Sequence, residues 1–262
     1  MKKAVNLYFC GLDTKTKLDA IKNAGYDGVL LGVREDVETM TLEEQVKYCK
    51  AIGLEISMIH CQYLEKNLNS LWEENSKIGD EVEKDLLSQI EKIKNFGVKD
   101  FVIHTCGSRE CKNTKFGLER IKRILEFCEI YNIHLCIENL YLESQVRYIF
   151  ENLKSPDLKF CYDSGHDNYF SHGSSLVSDF ASLITATHIH DNHGGADEHL
   201  ILGRGNINQE ELAKSLAKSN EEFLTAEIKY YDKSANIKDV LKENLEALNN
   251  LEQKINMHKE NQ

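Results

Sequence analysis

Glu138, Asp163 and Glu227 stand where a carboxylate is hardest to keep. Glu138 closes the apolar run His134-Leu-Cys-Ile137, Asp163 closes Leu158-Lys-Phe-Cys-Tyr162, and Glu227 follows Phe223-Leu-Thr-Ala226. Short apolar runs rich in β-branched and aromatic residues read as buried strands. An ionised carboxylate at the end of such a strand is heavily penalised when it is buried alone, and a divalent cation removes that penalty. His188, ending another such run, adds an imidazole nitrogen. Carboxylates combined with one imidazole suit Mn2+, Mg2+, Co2+ or Zn2+. The reading therefore predicts one divalent ion held by Glu138, Asp163, His188 and Glu227.

The histidines repeat the pattern. His60, His104, His166, His188, His190, His193 and His199 fall at or just beyond the ends of apolar runs, with Asp191 and Asp197 among them. His134, His172 and His258 do not. Packing alone would scatter histidines over helices and loops as well. If the runs are parallel strands, their C-terminal ends share one face and these residues converge there.

A partial repeat supplies the elements that would position them. Ile21-Lys-Asn-Ala-Gly25 leads into Tyr26-Asp-Gly-Val-Leu-Leu31, Cys49-Lys-Ala-Ile-Gly53 into Leu54-Glu-Ile-Ser-Met-Ile59, and Ile93-Lys-Asn-Phe-Gly97 into Val98-Lys-Asp-Phe-Val-Ile103. Cys128-Glu-Ile-Tyr-Asn132 leads into Ile133-His-Leu-Cys-Ile137, with Asn in place of Gly. Each copy is a helix end, a residue suited to a left-handed cap, a short loop and a buried strand. Strands are predicted near 4–10, 27–33, 54–60, 99–105, 133–138, 158–163, 184–190 and 222–228. Thr41-x-x-Glu44 opens a helix through about residue 51 as a capping box, and further helices fit 79–96, 116–131, 143–153, 174–183, 208–219 and 235–253. Alternating strands and helices over this length close best as a (β/α)8 TIM barrel, a single α/β domain over 1–262. An open doubly wound sheet would carry Gly-x-Gly-x-x-Gly after its first strand, and that motif is missing. Residues 252–262 read as a polar tail, a frayed helix end.

At 41% hydrophobic and 29% charged, the composition is that of a soluble globular protein. No apolar stretch approaches the roughly 20 residues of a membrane span, and the apolar run near the N-terminus is too short for a signal peptide. The expected compartment is the cytoplasm. The eight cysteines include no Cys-x-x-Cys pair; Cys10, Cys61, Cys106, Cys136 and Cys161 fall in or just after strands, where a reduced thiol serves as a small hydrophobe. A net charge of −11 argues against a broad nucleic-acid surface.

Ile137-Glu-Asn139, Tyr162-Asp-Ser-Gly-His166, His188-Ile-His-Asp191 and Asp197-Glu-His-Leu-Ile-Leu-Gly-Arg-Gly-Asn-Ile207 together resemble the xylose-isomerase-like TIM-barrel superfamily. That superfamily includes sugar and sugar-phosphate isomerases and epimerases and the endonuclease-IV-type apurinic-site nucleases. The resemblance spans nearly the whole chain and is strongest over 133–228. It implies Glu138, Asp163, His188 and Glu227 as metal ligands from strands five to eight, with His190 as the alternative to His188. Glu138 and Glu227 become the proton-transferring pair, working through a metal-bound enediolate on a sugar or sugar phosphate. His60, His104 and His166 would bind substrate oxygens, and Arg204 a phosphate or carboxylate.

The nuclease branch holds up to three Zn2+ and would add His60, His104, His166, Asp197 and His199 as ligands. His60-Cys-Gln-Tyr63-Leu64 also resembles the tyrosine-leucine pair that such a nuclease wedges into DNA. Against it, His190-Asp191-Asn192-His193 replaces that branch's Asn-Asp, small residue and Lys, and the Cys before His166 is missing. The acidic chain favours the isomerase or epimerase. An inosose-type dehydratase would use the same metal and proton abstraction, while a catalytically silent sugar-binding barrel has no reason to keep the full ligand set. A small-molecule substrate without nucleic acid or membrane is expected, and homo-oligomerisation is left open.

Overall fold

Three of the four helix ends that recur in the sequence are left-handed caps. Gly25, Gly53 and Asn132 have φ of 95°, 70° and 55° and turn their helix ends toward the following strand. Gly97 is also left-handed, at 78°, but its helix ends at Ile93 with a right-handed cap at Lys94, so this glycine serves the loop that leads into the strand instead of the helix end. The computed structural model describes residues 1–33, 38–62, 67–173, 175–219, 221–230 and 236–260. Its strands are β1 (Lys2–Asn6), β2 (Gly28–Gly32), β3 (Glu55–His60), β4 (Asp100–Ile103), β5 (His134–Glu138), β6 (Leu158–Asp163), β7 (Ile184–His188) and β8 (Phe223–Ala226). All pairings are parallel, in sequence order from β1 to β7, and β8 pairs back onto β1. The ring is completed between β7 and β8 by the Ile189–Ala226 bridge, where Ile189 N donates to Thr225 O at 2.8 Å and Glu227 N to Ile189 O at 3.2 Å. This is the expected TIM barrel.

The helices are α1 (Thr14–Ala24), α2 (Leu42–Ile52), α3 (Lys77–Ile93), α4 (Lys115–Ile130), α5 (Glu143–Asn152), α6 (Ser164–His166), α7 (Leu176–Asp179), α8 (Gln209–Leu216) and α9 (Ile237–Glu260). The Thr41–Glu44 capping box is present in both directions. Three expectations need correction. The first strand stops at Asn6, and a single 3-10 turn (Leu7–Phe9) follows it. The helix expected over 174–183 is only α7 and a short 3-10 turn, because the chain bends to set Phe180 against Phe150, 4.9 Å away. The polar stretch from residue 252 does not fray: it extends α9 to Glu260, with Leu251 and Ile255 fully buried and Lys254 and His258 paired to Glu210 of α8. Among the described residues, no helix is long and apolar enough to cross a membrane.

The inside of the barrel sets up the site. Leu30, Met58, Val102, Cys136, Cys161 and Ala186 form a buried inner cluster, against which Tyr8 packs. Strand side chains alternate, so residues two further on point the same way, one layer nearer the C-terminal mouth. Those residues are His60 after Met58, His104 after Val102, Glu138 after Cys136, Asp163 after Cys161 and His188 after Ala186. Glu227 stands in the same relation to the buried Thr225.

Candidate functional site

Above this apolar layer, Glu138, Asp163, His188 and Glu227 each offer one ligand atom, all within 4.8 Å of one another. All four side chains are buried. His188 Nδ1 lies 3.1 Å from Glu138 Oε1, 3.6 Å from Asp163 Oδ2 and 3.4 Å from Glu227 Oε2. Local backbone contacts hold the carboxylates in place. The Asn139 side chain donates to Asp163 O and accepts from Asp163 N, both at 2.8 Å, clamping β5 to β6. Asp163 caps α6 by accepting from His166 N at 2.7 Å. Asn6 donates to Ile228 O and accepts from Ile228 N, fixing the chain beside Glu227 to β1. Tyr8 donates its hydroxyl to Glu227 Oε1 at 2.6 Å, and Glu227 Oε2 is the oxygen that faces His188.

The imidazoles have defined orientations. A carbonyl oxygen can only accept, so His60 Nδ1 donates to Cys61 O at 2.8 Å, His166 Nδ1 to Asn139 O at 3.0 Å and His199 Nδ1 to Glu227 O at 2.9 Å. Their Nε2 atoms then face carboxylates: His60 toward Glu138 Oε2 at 3.2 Å, His166 and His199 toward Asp197 Oδ2 at 3.6 and 3.0 Å. A ring nitrogen anchored on a backbone carbonyl while the other turns to carboxylates is how metal-ligating histidines are usually oriented. His104 Nε2 also reaches Glu138 Oε2, at 3.0 Å. His199 holds a left-handed backbone (φ 51°), which costs a non-glycine residue on the order of 1 kcal/mol. Its ring stacks on His190, centroids 4.2 Å apart.

Electrostatics show what the cluster lacks. Burial pushes the Glu138 carboxyl up, but the His188 and His104 imidazoles outweigh it and hold it well below the usual carboxylate range. Burial likewise opposes Asp163, where His166 and His190 win, and Glu227, where His188 and His199 win. Asp197 is held down against its burial by His166 and His199. In return His166 and His188 are raised well above the imidazole range, and His60 is pushed up to about 10 by Cys61 and Glu138 despite its burial. Burial keeps His104 below the ordinary value. Buried protons on imidazoles are thus the counter-charge this cluster finds by itself. His188 Nε2, His190 Nδ1 and Asp197 Oδ1 are buried without a hydrogen-bond partner. Converging oxygen and nitrogen donors with unmet polar atoms beside them fit a divalent cation.

Among the described residues, four further donor groups share members with this set: His60, His104 and Glu138; Asp163, His166 and His190; His190, His199 and Glu227; and Glu138, Cys161 and His188. The first two flank it, with Asp197 and His199 beside the second. A cavity of about 660 Å³ opens over the whole arrangement, lined by His60, His104, Glu138, His166, Asp197, His199 and Glu227 among others. Of the four central donors, Glu138 and Glu227 line it, whereas Asp163 and His188 do not.

Arg204 does not join them. Asp191 is fully buried and accepts from the backbone N–H of Asn192, Gly203 and Ile207 at 2.9, 2.8 and 3.1 Å. The Gly203-Arg-Gly205 turn wraps this carboxylate so closely that a Cβ on Gly205 would lie 2.3 Å from Asp191 Oδ1. Arg204 is thereby turned outward, and both ends of its guanidinium pair with Glu243 of α9 at 2.7 and 2.6 Å. His193 is also outside the cluster, exposed and paired with Glu198. Tyr63 and Leu64 lie outside the described residues. Tyr8 and Asn139 escape a reading of charged residues at strand ends; Tyr8 lies in the turn after β1, where it packs against the inner cluster.

A family model described as a xylose isomerase-like TIM barrel matches residues 18–251. The chain belongs to this family. Within the curated proteins it is similar to an uncharacterized protein of Methanocaldococcus jannaschii, MJ1311, 29% identical over 141 residues, which are 49% of this chain and 48% of that protein. The chain thus spans about half the length of that relative. It is also similar to y4fM of Sinorhizobium fredii, uncharacterized as well, 22% identical over 263 residues, covering 83% and 85% of the two chains. Solved structures with the same barrel include a D-tagatose 3-epimerase-like protein (19% identity, TM-score 0.78, 100% and 99% coverage). An L-ribulose 3-epimerase (13%, 0.77, 99% and 96%) and the IolI protein with a bound zinc atom (14%, 0.78, 97% and 99%) are similar to the same extent. At these identities the likeness establishes the shared fold of the xylose isomerase-like family.

Proposed function

We propose that this chain is a divalent-metal-dependent isomerase or epimerase of sugars or sugar phosphates, acting by proton abstraction beside a carbonyl. The observation that carries this reading is the buried donor set Glu138, Asp163, His188 and Glu227, of which the two glutamates reach the cavity. A divalent ion held there would polarise neighbouring carbonyl and hydroxyl oxygens and so acidify the carbon-bound proton between them. Asp163 and His188, set back from the cavity, serve only to hold it. Glu138 and Glu227 reach both sides, so one can take the proton and the other return it to the opposite face or the neighbouring carbon. Tyr8 holds Glu227 Oε1 and leaves Oε2 toward His188, which orients the carboxylate. His60, His104 and His166 present imidazoles to substrate oxygens. The epimerases named above share this barrel, and the zinc atom of the IolI structure supports a cation in it. A small sugar partner, a cytoplasmic setting and any homo-oligomer belong to the same proposal.

One observation favours a second reading. The two flanking donor groups, with Asp197 and His199, complete the ligand count of a three-zinc, endonuclease-IV-type nuclease. Against it stand the net charge of −11, unfavourable for a DNA backbone, and the diversion of Arg204 to Glu243. An inosose-type dehydratase would share the first reading's proton abstraction. Solvent deuterium entering carbon-bound positions of a panel of ketoses and ketose phosphates supports the isomerase. Cleavage of a duplex containing an abasic site, with no exchange, replaces it with the nuclease.

A further inference from the structure

The cavity extends beyond the carboxylate and imidazole floor to the β1–β2 side of the mouth. There its lining comes from Cys10 and Gly11 after β1, Lys17 on α1, Gly32 at the end of β2, Glu38 before α2 and Gln45 within α2. Lys17 and Glu38 are almost fully buried, with 2% and 6% of their side chains exposed. Lys17 Nζ lies 2.7 Å from Glu38 Oε1 and 2.8 Å from Oε2, and Thr14 donates to Oε2 at 2.6 Å. The pair is matched in charge, but an ammonium has a third N–H. Gln45 is fully buried; its Nε2 donates to Met40 O at 2.9 Å, while its Oε1 has no hydrogen-bond partner. A buried amide oxygen without a donor is a standing cost that a ligand hydroxyl would remove.

We propose that this lobe binds the non-reacting end of the substrate and that this end is an uncharged, hydroxyl-bearing tail, so that the enzyme takes free ketoses in preference to their terminal phosphate esters. The proposal rests on the isomerase reading and narrows its substrate class. A phosphate dianion needs unmatched cations or converging N–H donors. Among the described lining residues the buried lysine is already matched by Glu38, and a carboxylate and an amide oxygen stand beside it, so a dianion would be desolvated against acceptors. A hydroxyl instead donates to Gln45 or Glu38 and accepts from Lys17. Lys229, the other lysine among the described lining residues, is exposed, where water and salt weaken its hold on an anion.

The test is calorimetric binding of the D-ketohexoses and of their 6-phosphates to metal-loaded protein, with deuterium exchange followed on the same samples. At least one free ketose should bind about tenfold or more tightly than its own 6-phosphate, the selectivity expected from one well-made polar contact. Glu38→Gln leaves Lys17 unmatched and should move the preference toward the phosphate ester by about tenfold. Lys17→Met combined with Glu38→Leu replaces the pair by apolar groups of similar size, a change that folds tolerate. It should keep the metal content while weakening the free ketose about tenfold. A wild type that binds the phosphate ester equally well or better, that binds no free ketose, or whose preference ignores both variants overturns the proposal. Exchange together with phosphate preference removes the lobe assignment and leaves the isomerase standing. Ketose preference that responds to Glu38→Gln without any exchange keeps the lobe and removes the isomerase.

Discussion

The two sides of the barrel mouth solve the same problem, buried charge, in opposite ways. On the β1–β2 side Lys17 and Glu38 meet at 2.7 Å and settle their charge between themselves. On the β3–β8 side Glu138, Asp163, Asp197 and Glu227 crowd around imidazoles, and lysine and arginine are missing from the ion pairs these carboxylates make among the described residues. Buried pairs that are already matched add little net stability but make a polar, neutral wall. Buried carboxylates short of cations are a place for an ion that arrives from outside. In the proposed reading, chemistry belongs to the second side and recognition of the substrate's far end to the first.

The largest effect expected from breaking this contrast comes from the carboxylates that the cavity reaches. Glu138→Gln or Glu227→Gln keeps an oxygen ligand and the side-chain volume but removes the base. Either should lower the rate of solvent exchange into substrate by at least about 10²- to 10⁴-fold. Exchange at the wild-type rate in both variants would show that the proton is taken elsewhere.

A smaller effect is expected in stability, with a definite sign in pH. His60, pushed up to about 10 from 6.5, stabilises the metal-free protein fully below 6.5, and this stability is lost as the pH rises through about 10. His166 and His188, also raised, act in the same sense. The depressed carboxylates Glu138, Asp163 and Glu227 stabilise above their unfolded values, near about 4, and lose this as the pH falls through their folded ones. A divalent ion held by these residues, as proposed, would replace the imidazole protons and stabilise only the folded chain. The rise in melting temperature on adding Mn2+ or Zn2+ should therefore grow as the pH is raised from about 6 to about 9. An increment that is constant or shrinking over that range would mean that metal and protons do not compete for these nitrogens.

The smallest effect belongs to Tyr8. Tyr8→Phe removes the 2.6 Å hydrogen bond to Glu227 Oε1, and denaturant titration should show a loss of no more than about 3 kcal/mol, the upper range for a hydrogen bond to a charged group. A larger loss would make Tyr8 part of the folding core rather than a holder of Glu227.

What was legible in the sequence follows the same division. Glu138, Asp163 and His188 could be read because each ends an apolar run, and the barrel places each two residues after an inner-layer residue, Cys136, Cys161 and Ala186. The barrel was legible from the caps at Gly25, Gly53 and Asn132, where local backbone conformation and tertiary direction agree, whereas Gly97 repeats the pattern but lies in the loop beyond a helix that ends at Ile93. Arg204 was misread because a basic residue between two glycines resembles an anion-binding turn, whereas Asp191 needs those glycines for its own backbone hydrogen bonds. Lys17, Glu38 and Gln45 could not be read. They come from two helices and a loop, with no shared period, and a lysine on an amphipathic helix is ordinarily solvated.

The central claim, that Glu138, Asp163, His188 and Glu227 hold a divalent cation, is tested most directly by metal content per chain in protein purified without chelators, beside the variant Asp163→Ala, which leaves no ligand oxygen at that position. Asp163 is set back from the cavity, so its loss should remove the ion without altering the reacting groups. The account predicts one Mn2+, Mg2+, Co2+ or Zn2+ per wild-type chain and a marked loss in the variant. Three zinc ions per chain would keep the centre but move the function to the nuclease. A wild-type chain with no bound ion, or one whose metal is indifferent to Asp163→Ala, would contradict the claim.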